Sequence, residues 1–456
     1  MLRICSFLLL VSSLFAEQAD WVWSARYVIT EDAAHRVIEQ GAVAVRGGVI
    51  LAVGSKAEID ARFQARQRLD RPDAILAPGL IDTHTHAAMS LFRGIADDRK
   101  LEDWLEKYIF PAERKNVSAD FVRWGTRLGC LEMLLSGTTT FTDMYYFEDV
   151  VAEAAKEAGM RGVLGETIIG FPVADAKTPA DALAFTEKYL TRFAGDPLIA
   201  PAVAPHALYT NSDETLKAAR ALANRHHAPL LIHVAETRKE NDDALATRHM
   251  TAVRTLESLG VFNGRTVAAH CVWANEADMA TLKEHGVGVA HCPSSNMKLA
   301  SGVAPVARML QLGINVGLGP DGPAGSNNDF NMFEEMDLAA KLQKVTALDP
   351  QVLPAGQALE MATIGGARVL GMEKEIGSLE PGKRADIITV RLDRPNAVPL
   401  YDPVSQMVYA LKGDDARDVM VNGKPVVRDA KILTLNQAQI LKKAEEYRER
   451  ISRSLQ

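Results

Sequence analysis

His84 and His86 stand one residue apart at the end of PGLIDTHTH, Pro78 to His86, behind the apolar pair Leu80 and Ile81. Successive strand residues face opposite sides, so the two imidazoles project the same way. Two neutral nitrogens on one face can provide half of a metal site. An H-x-H pair also suits a polar strand end facing solvent, so the remaining ligands must come from elsewhere. His233, in PLLIHVAET, offers a third nitrogen, and Asp321, in INVGLGPDG, offers a carboxylate. Nitrogen and oxygen ligands in a small shell suit Zn2+, one per subunit, with a position left for water. Binding to such an ion lowers the pKa of water toward neutrality. Asp321 can both touch the metal and accept the water proton.

These ligands lie far apart in the chain, so a fold must gather them. Apolar runs recur through the middle of the sequence, each followed by a helix-periodic stretch such as DVVAEAAKEAG or SDETLKAARALANRH. The runs are LIDTHTH, TTTFTDM, RGVLGETII, LIAPAVAPHAL, PLLIHVAET, TVAAHCV, GVGVAHCP and INVGLGPDG. Eight near-continuously apolar strands alternating with helices predict a parallel (β/α)8 barrel of the TIM type. Polar residues cluster at the C-terminal ends of the runs, where barrel enzymes assemble their sites. His84 and His86 close the first, His206 the fourth, His233 and Glu236 the fifth, His270 the sixth, His291 the seventh and Asp321 the eighth. Six of the eleven histidines fall there. The others (His35, His226, His227, His249 and His285) fall on helices or outer segments and read as solvated or capping residues.

The ends of the chain have another texture. Val22–Thr30, Gly41–Val45 and Val49–Val53 are short, β-branched and separated by glycines, and Ile376–Val390 and Asp418–Val427 read the same way. They predict a small β-sandwich domain built from both ends, residues 20–77 and 371–430, around a barrel at 78–370. Asn436 to Gln456 is charged and helix-periodic and predicts a C-terminal surface helix. Residues 1–16 carry Arg3, an apolar run from Ile4 to Phe15, and Leu14 and Ala16 as an imperfect cleavage motif. That is the pattern of a signal peptide, implying export, against the alternative of a start codon assigned too far upstream. The run is too short for a stable membrane span.

Composition excludes several classes. At 47% hydrophobic and 24% charged, the chain is neither disordered nor a multi-span membrane protein. A net charge of −7 argues against an extended nucleic-acid surface but leaves a nucleotide-sized ligand open. The four cysteines form neither a C-x-x-C pair nor a disulfide framework, and the H-x-E with P-C-x-x-C signature of small zinc deaminases is absent.

PGLIDTHTH, PLLIHVAET, TVAAHCV and LGPDGPAGSNN resemble the amidohydrolase superfamily. FPAERK, APHALYT, HVAETRKE and HCPSSNMKLASG resemble its 5-methylthioadenosine/S-adenosylhomocysteine deaminases. The similarity runs from about Trp21 to about Arg428. Cyclic-amide hydrolases of the superfamily with two metals carry a modified lysine on the fourth strand. LIAPAVAPHALYT has none and carries His206 instead, so the resemblance implies one metal and a deaminase-type reaction. It further implies that an activated water attacks purine C6 of an adenine nucleoside, a ring nitrogen takes a proton, and ammonia leaves. Glu236 matches the acid that shuttles this proton and His270 the residue that orients the water. Glu113 matches the carboxylate on the ribose hydroxyls, and His206 the residue near sugar and ring. His291 is left as a supporting or structural residue.

Departures from the family bear on the substrate. Related deaminases carry arginines after the third strand, which suit the carboxylate of an S-adenosylhomocysteine tail. ETIIGFPVADAKTPAD offers Glu166 and, as its only cation, Lys177, with Arg161 earlier on the strand. Methylthioadenosine and adenosine are therefore equally credible substrates. The usual Thr-Asp-Gly of the eighth strand is Pro320-Asp321-Gly322. The rival enzymatic reading is a triazine chlorohydrolase or aminohydrolase, or another purine or pyrimidine deaminase, on the same barrel. A solute-binding protein that kept the barrel without catalysis is the reading from another class. The sequence leaves the oligomeric state open, a homo-oligomer included.

Overall fold

A computed structural model of the chain describes residues 16–455. Of the signal-like segment only Ala16 falls within these, so that expectation lies outside the described residues. No helix among them is long and apolar enough to cross a membrane.

Four strands open the chain: β1 Glu17–Ile29, β2 Val37–Arg46, β3 Val49–Ser55 and β4 Phe63–Pro78. The barrel strands follow, β5 Leu80–Thr85, β6 Thr138–Tyr145, β7 Arg161–Ile168, β8 Ile199–Pro205, β9 Leu230–Val234, β10 Thr266–His270, β11 Gly288–His291 and β12 Val316–Leu318. Four more close the chain, β13 Ile387–Arg391, β14 Ala416–Val421, β15 Lys424–Arg428 and β16 Lys431–Ile432. Strands β5 to β12 form a closed barrel in sequential order, all neighbours parallel. All eight predicted runs are barrel strands.

Burial on both faces explains their apolar composition. Ile81, Val163, Ala202, Leu231, Val267 and Ala290 meet in one cluster inside the barrel, joined by Ile364 and Ala367 from the helix Ile364–Leu370. Their neighbours Val203, Leu230, Ile232, Ala268 and Val289 pack outward into the larger core shared with the helices. With no polar face to alternate, each strand reads as a continuous apolar run.

The remaining strands make one sheet in the order β16-β15-β14-β13-β4-β1-β2-β3, antiparallel except for the β1–β4 pair. The expected sandwich is therefore one sheet bent over a common core, in which Trp23, Val43 and Ile50 meet Leu379, Ile387 and Met420. The turn at Gly48 meets the turn at Asn422–Gly423 so closely that a β-carbon on Gly48 would lie 2.8 Å from the Asn422 carbonyl oxygen. Gly48 also has φ +82°, where a side chain is strained. Strand β4 was not anticipated, because its first ten residues are mostly polar and its burial alternates little until Ala74.

The C-terminal segment is the helix Gln437–Leu455. It buries Ile440, Tyr447 and Ile451, and Tyr447 sets its ring edge-on to Phe121 at 5.6 Å while its hydroxyl donates to Asp120. It thereby braces the helices Phe110–Asn116 and Ala119–Leu135, which border the barrel mouth.

Candidate active site

Each barrel strand delivers its last residues to one rim. Asp321 Oδ1 lies 3.3 Å from Nε2 of both His84 and His86. The rings of His84 and His233 stand edge to face with centroids 4.8 Å apart, and His233 and His270 stack at 5.5 Å. Two sets therefore share His84: His84, His86 and Asp321, and His84, His233 and His270, with ligand atoms within 4.8 Å in each.

The hydrogen bonds behind these rings decide what they can hold. His86 Nδ1 faces the Met144 carbonyl at 2.7 Å, and His233 Nδ1 faces the His206 carbonyl at 2.8 Å. A carbonyl only accepts, so both Nδ1 atoms carry the proton and both Nε2 lone pairs point inward. His84 Nε2 is buried with no hydrogen-bond partner. Acceptor nitrogens and a carboxylate turned on one another leave a place for a cation, and this donor set fits a divalent ion such as zinc. Asp321 is fixed in turn: Ser295 Oγ donates to Oδ2 at 2.6 Å, and the Gly322 N–H donates to Oδ1 at 2.6 Å.

The other predicted residues surround this centre. Glu236 is 4% exposed, which removes the reading of a solvated helix-start glutamate. Burial, then the charge of Asp321, pushes its carboxyl up to about 8, and its Oε2 lies 3.8 Å from His270 Nε2. His270 Nδ1 is paired with Asn296 Oδ1 at 3.0 Å. His206 Nδ1 pairs with the Thr210 hydroxyl at 3.0 Å, and its ring lies 4.7 Å from that of His233. Glu113 accepts from the Tyr145 hydroxyl at 2.7 Å and the Tyr146 hydroxyl at 3.5 Å. Burial pushes it up to about 7 against those donors and the nearby His86.

Glu236, His270, His206 and Glu113 line one cavity together with His86, His233 and Asp321, and Trp104, Ile109, Phe110 and Leu299 form its apolar walls; His84 does not line it. Past Leu105, Phe110 and Tyr209 lies a wider outer cleft that includes Arg114 and Phe171. His291 does not reach the cavity; it is fully buried and neither ring nitrogen has a partner. Glu166 and Arg161, weighed as contacts for a substrate tail, are elsewhere. Glu166 is buried under the Glu148 N–H at 3.0 Å, and Arg161 pairs with Asp386 of the bent sheet at 2.9 Å. Lys177 is exposed and borders neither space. Of the five histidines set aside, none lines the cavity.

Sequence reasoning missed Tyr145, Tyr146, Ser295 and Asn296. The tyrosines end the second barrel run, in TTTFTDMYY, so strand-end position was a usable signal. Ser295 and Asn296 lie in a helix, Pro293–Lys298, where strand-end position gives no signal; only their place in HCPSSNMKLASG pointed to them.

Comparison with known proteins agrees with this geometry. The Amidohydrolase family matches residues 75–426. The 5-methylthioadenosine/S-adenosylhomocysteine deaminase 1 of Syntrophus aciditrophicus (strain SB) is 46% identical over 439 residues, 96% of this chain and 99% of that protein. Among solved structures, an adenosine deaminase from Xanthomonas campestris with bound zinc superimposes with a TM-score of 0.94 at 39% identity, covering 96% of this chain and 99% of that one. An atrazine chlorohydrolase from Arthrobacter aurescens TC1 complexed with zinc gives 0.85 at 25% identity over 94% of this chain and 99% of its own. Carrying the His-x-His, the later histidine and the aspartate at one barrel rim, the chain belongs to the amidohydrolase family.

Proposed function

We propose that the protein is a zinc-dependent deaminase of an adenine nucleoside with a 5′-thioether, 5′-methylthioadenosine or S-adenosylhomocysteine, with adenosine itself a further substrate. The single observation that carries this reading is the pairing, in one cavity, of a metal-ligand set with the buried Glu113, held by two tyrosine hydroxyls. A carboxylate fixed in this way suits a vicinal diol, which a ribose has and a triazine lacks. The relatives named as deaminases of these nucleosides support the same class.

His84, His86, His233 and Asp321 would hold the ion, which when bound supplies an acidified water for attack at C6. Asp321 accepts the proton that this water loses. Glu236, kept protonated by its apolar burial, gives a proton to the purine ring nitrogen and takes part in its later transfer to the leaving ammonia. His270, its tautomer set by Asn296, orients the attacking oxygen and stabilises the charge that develops there. Glu113 fixes the ribose hydroxyls and His206 borders sugar and ring, so the base is held at the metal by contacts remote from C6. Trp104, Ile109 and Leu299 exclude bulk water. The outer cleft has room for a 5′ substituent, with Arg114 as a cation on its wall.

The test is a panel of methylthioadenosine, S-adenosylhomocysteine, adenosine, free adenine and a triazine, read by ultraviolet absorbance and ammonia release, with metal content measured in parallel. Deamination of a nucleoside well above free adenine and the triazine is expected. Preference for the triazine, or a protein without tightly held metal, would overturn the reading. Export is proposed on the N-terminal pattern alone, and the N-terminal residue of the mature protein tests it.

A further inference from the structure

We propose that Glu240 is a positioning residue for Glu236. It fixes the backbone turn from which the proton-transferring carboxyl projects; this rests on the reading of Glu236 as that acid. Glu240 lies in the first turn of the helix Arg238–Arg248 and is buried. Its Oε2 accepts the Glu236 N–H at 2.9 Å. Thr237 caps the same helix, its hydroxyl accepting the Glu240 N–H at 3.2 Å. In an ordinary capping box the third-position carboxylate returns to the N–H of the cap residue itself. Here it reaches one residue further back, onto the residue that carries the acid.

The turn needs such a hold. Ala235, directly before Glu236, has φ 49°, in the left-handed region that a side chain disfavours. Two hydrogen bonds bracket it: the Trp273 N–H donates to the Ala235 carbonyl at 2.9 Å, and Glu240 takes the next N–H. Held between them, Glu236 is directed into the cavity toward His270. Capping alone explains Glu240 poorly. Its carboxyl is buried against the backbone of Ala235 and Glu236, and that burial pushes it up to about 8, a cost that a smaller or exposed cap would avoid. A carboxyl kept at that cost, one bond from the acid, points to a role in aiming it.

Four variants of the full-length metal-loaded protein test this: Glu240→Ala, Glu240→Gln, Thr237→Ala and Glu236→Gln, with kcat, KM, metal content and Tm measured for each. Glu240→Ala is expected to lower kcat on the order of 100-fold through misplacement of the acid, with KM and metal content unchanged. Glu240→Gln keeps an oxygen acceptor for the Glu236 N–H and is expected to restore most of that loss. Thr237→Ala removes a cap from the same helix but leaves the Glu240 carboxyl on the Glu236 N–H, so Tm falls while kcat holds. The proposal is overturned if Glu240→Ala keeps wild-type kcat, if Gln is no better than Ala, or if Thr237→Ala loses kcat equally. Should Glu240→Ala not fold, a large kcat loss in soluble, metal-loaded Glu240→Gln overturns it, and near wild-type kcat there supports it. Full activity in Glu236→Gln would instead sink the role of Glu236 itself, and is distinguishable because the Glu240 variants do not enter it.

Discussion

At the scale of single residues, the site is a set of acceptors arranged as a divalent cation would need them. Replacing Asp321 with Asn removes the charge that faces both His84 and His86. Metal per subunit, measured by elemental analysis, should fall together with kcat, and loss of activity at full metal content would contradict the ligand role. Glu113 gives a pH dependence of definite sign. Its carboxyl is raised to about 7, so it is ionised above that pH and protonated below it. The ionised form is the better acceptor for ribose hydroxyls. KM for a nucleoside should therefore rise as pH falls through about 7 in the wild type. In Glu113→Gln it should be raised at all pH values and lose this inflection, whereas a bare heterocycle should show neither effect. Among these residues the sequence was most informative for the proposed metal ligands, whose spacing and strand-end positions narrow their roles sharply. It was least informative for Glu113, since a glutamate in FPAERK looks like any helical glutamate until Tyr145 and Tyr146 are seen to hold it.

At the scale of elements, the metal ligands depend on what packs behind them. The helix Ala119–Leu135 lies against the turn Ala87–Phe92 that follows His86, and Ser90 Oγ donates to the Gly125 carbonyl at 2.7 Å. A β-carbon at Gly125 would lie 2.2 Å from the Ala88 carbonyl oxygen. Gly125→Ala must therefore push this turn, at a cost of about 1–3 kcal/mol. Lower metal affinity and a lower denaturation midpoint are expected, and an unchanged metal titration would refute the coupling. The barrel strands were readable as elements because burial on both faces removes their polar alternation. Strand β4 was not, because Phe63 to Asp73 is largely polar and its pairing with β1 and β13 is remote in sequence.

At the scale of the whole molecule, the bent sheet is fastened to the barrel by buried charge. Arg161, at the start of β7, pairs through Nε with Asp386 Oδ2 at 2.9 Å, and Asp386 Oδ1 also accepts the Asn422 N–H at 2.6 Å. Both side chains are almost fully buried. Arg161→Met leaves Asp386 buried without its cation and should cost about 3–5 kcal/mol in urea unfolding. Arg161 is at the opposite end of its strand from the cavity, so kcat at moderate temperature should hold. A parallel loss of kcat without loss of stability would show that the two parts communicate.

The sequence alone determined the barrel, the sheet built from both ends, and the histidines and aspartate that gather at one rim, since strand periodicity and the crowding of histidines at strand ends are local properties. Tertiary structure alone decided the rest. It showed that Glu236 is buried, that Arg161 and Glu166 serve the framework, and that Tyr145, Ser295, Asn296 and Glu240 hydrogen-bond to Glu113, Asp321, His270 and Glu236 in turn. The physical reason is that a side chain's protonation and aim depend on its neighbours in space, and those neighbours come from strands and helices far away in the chain.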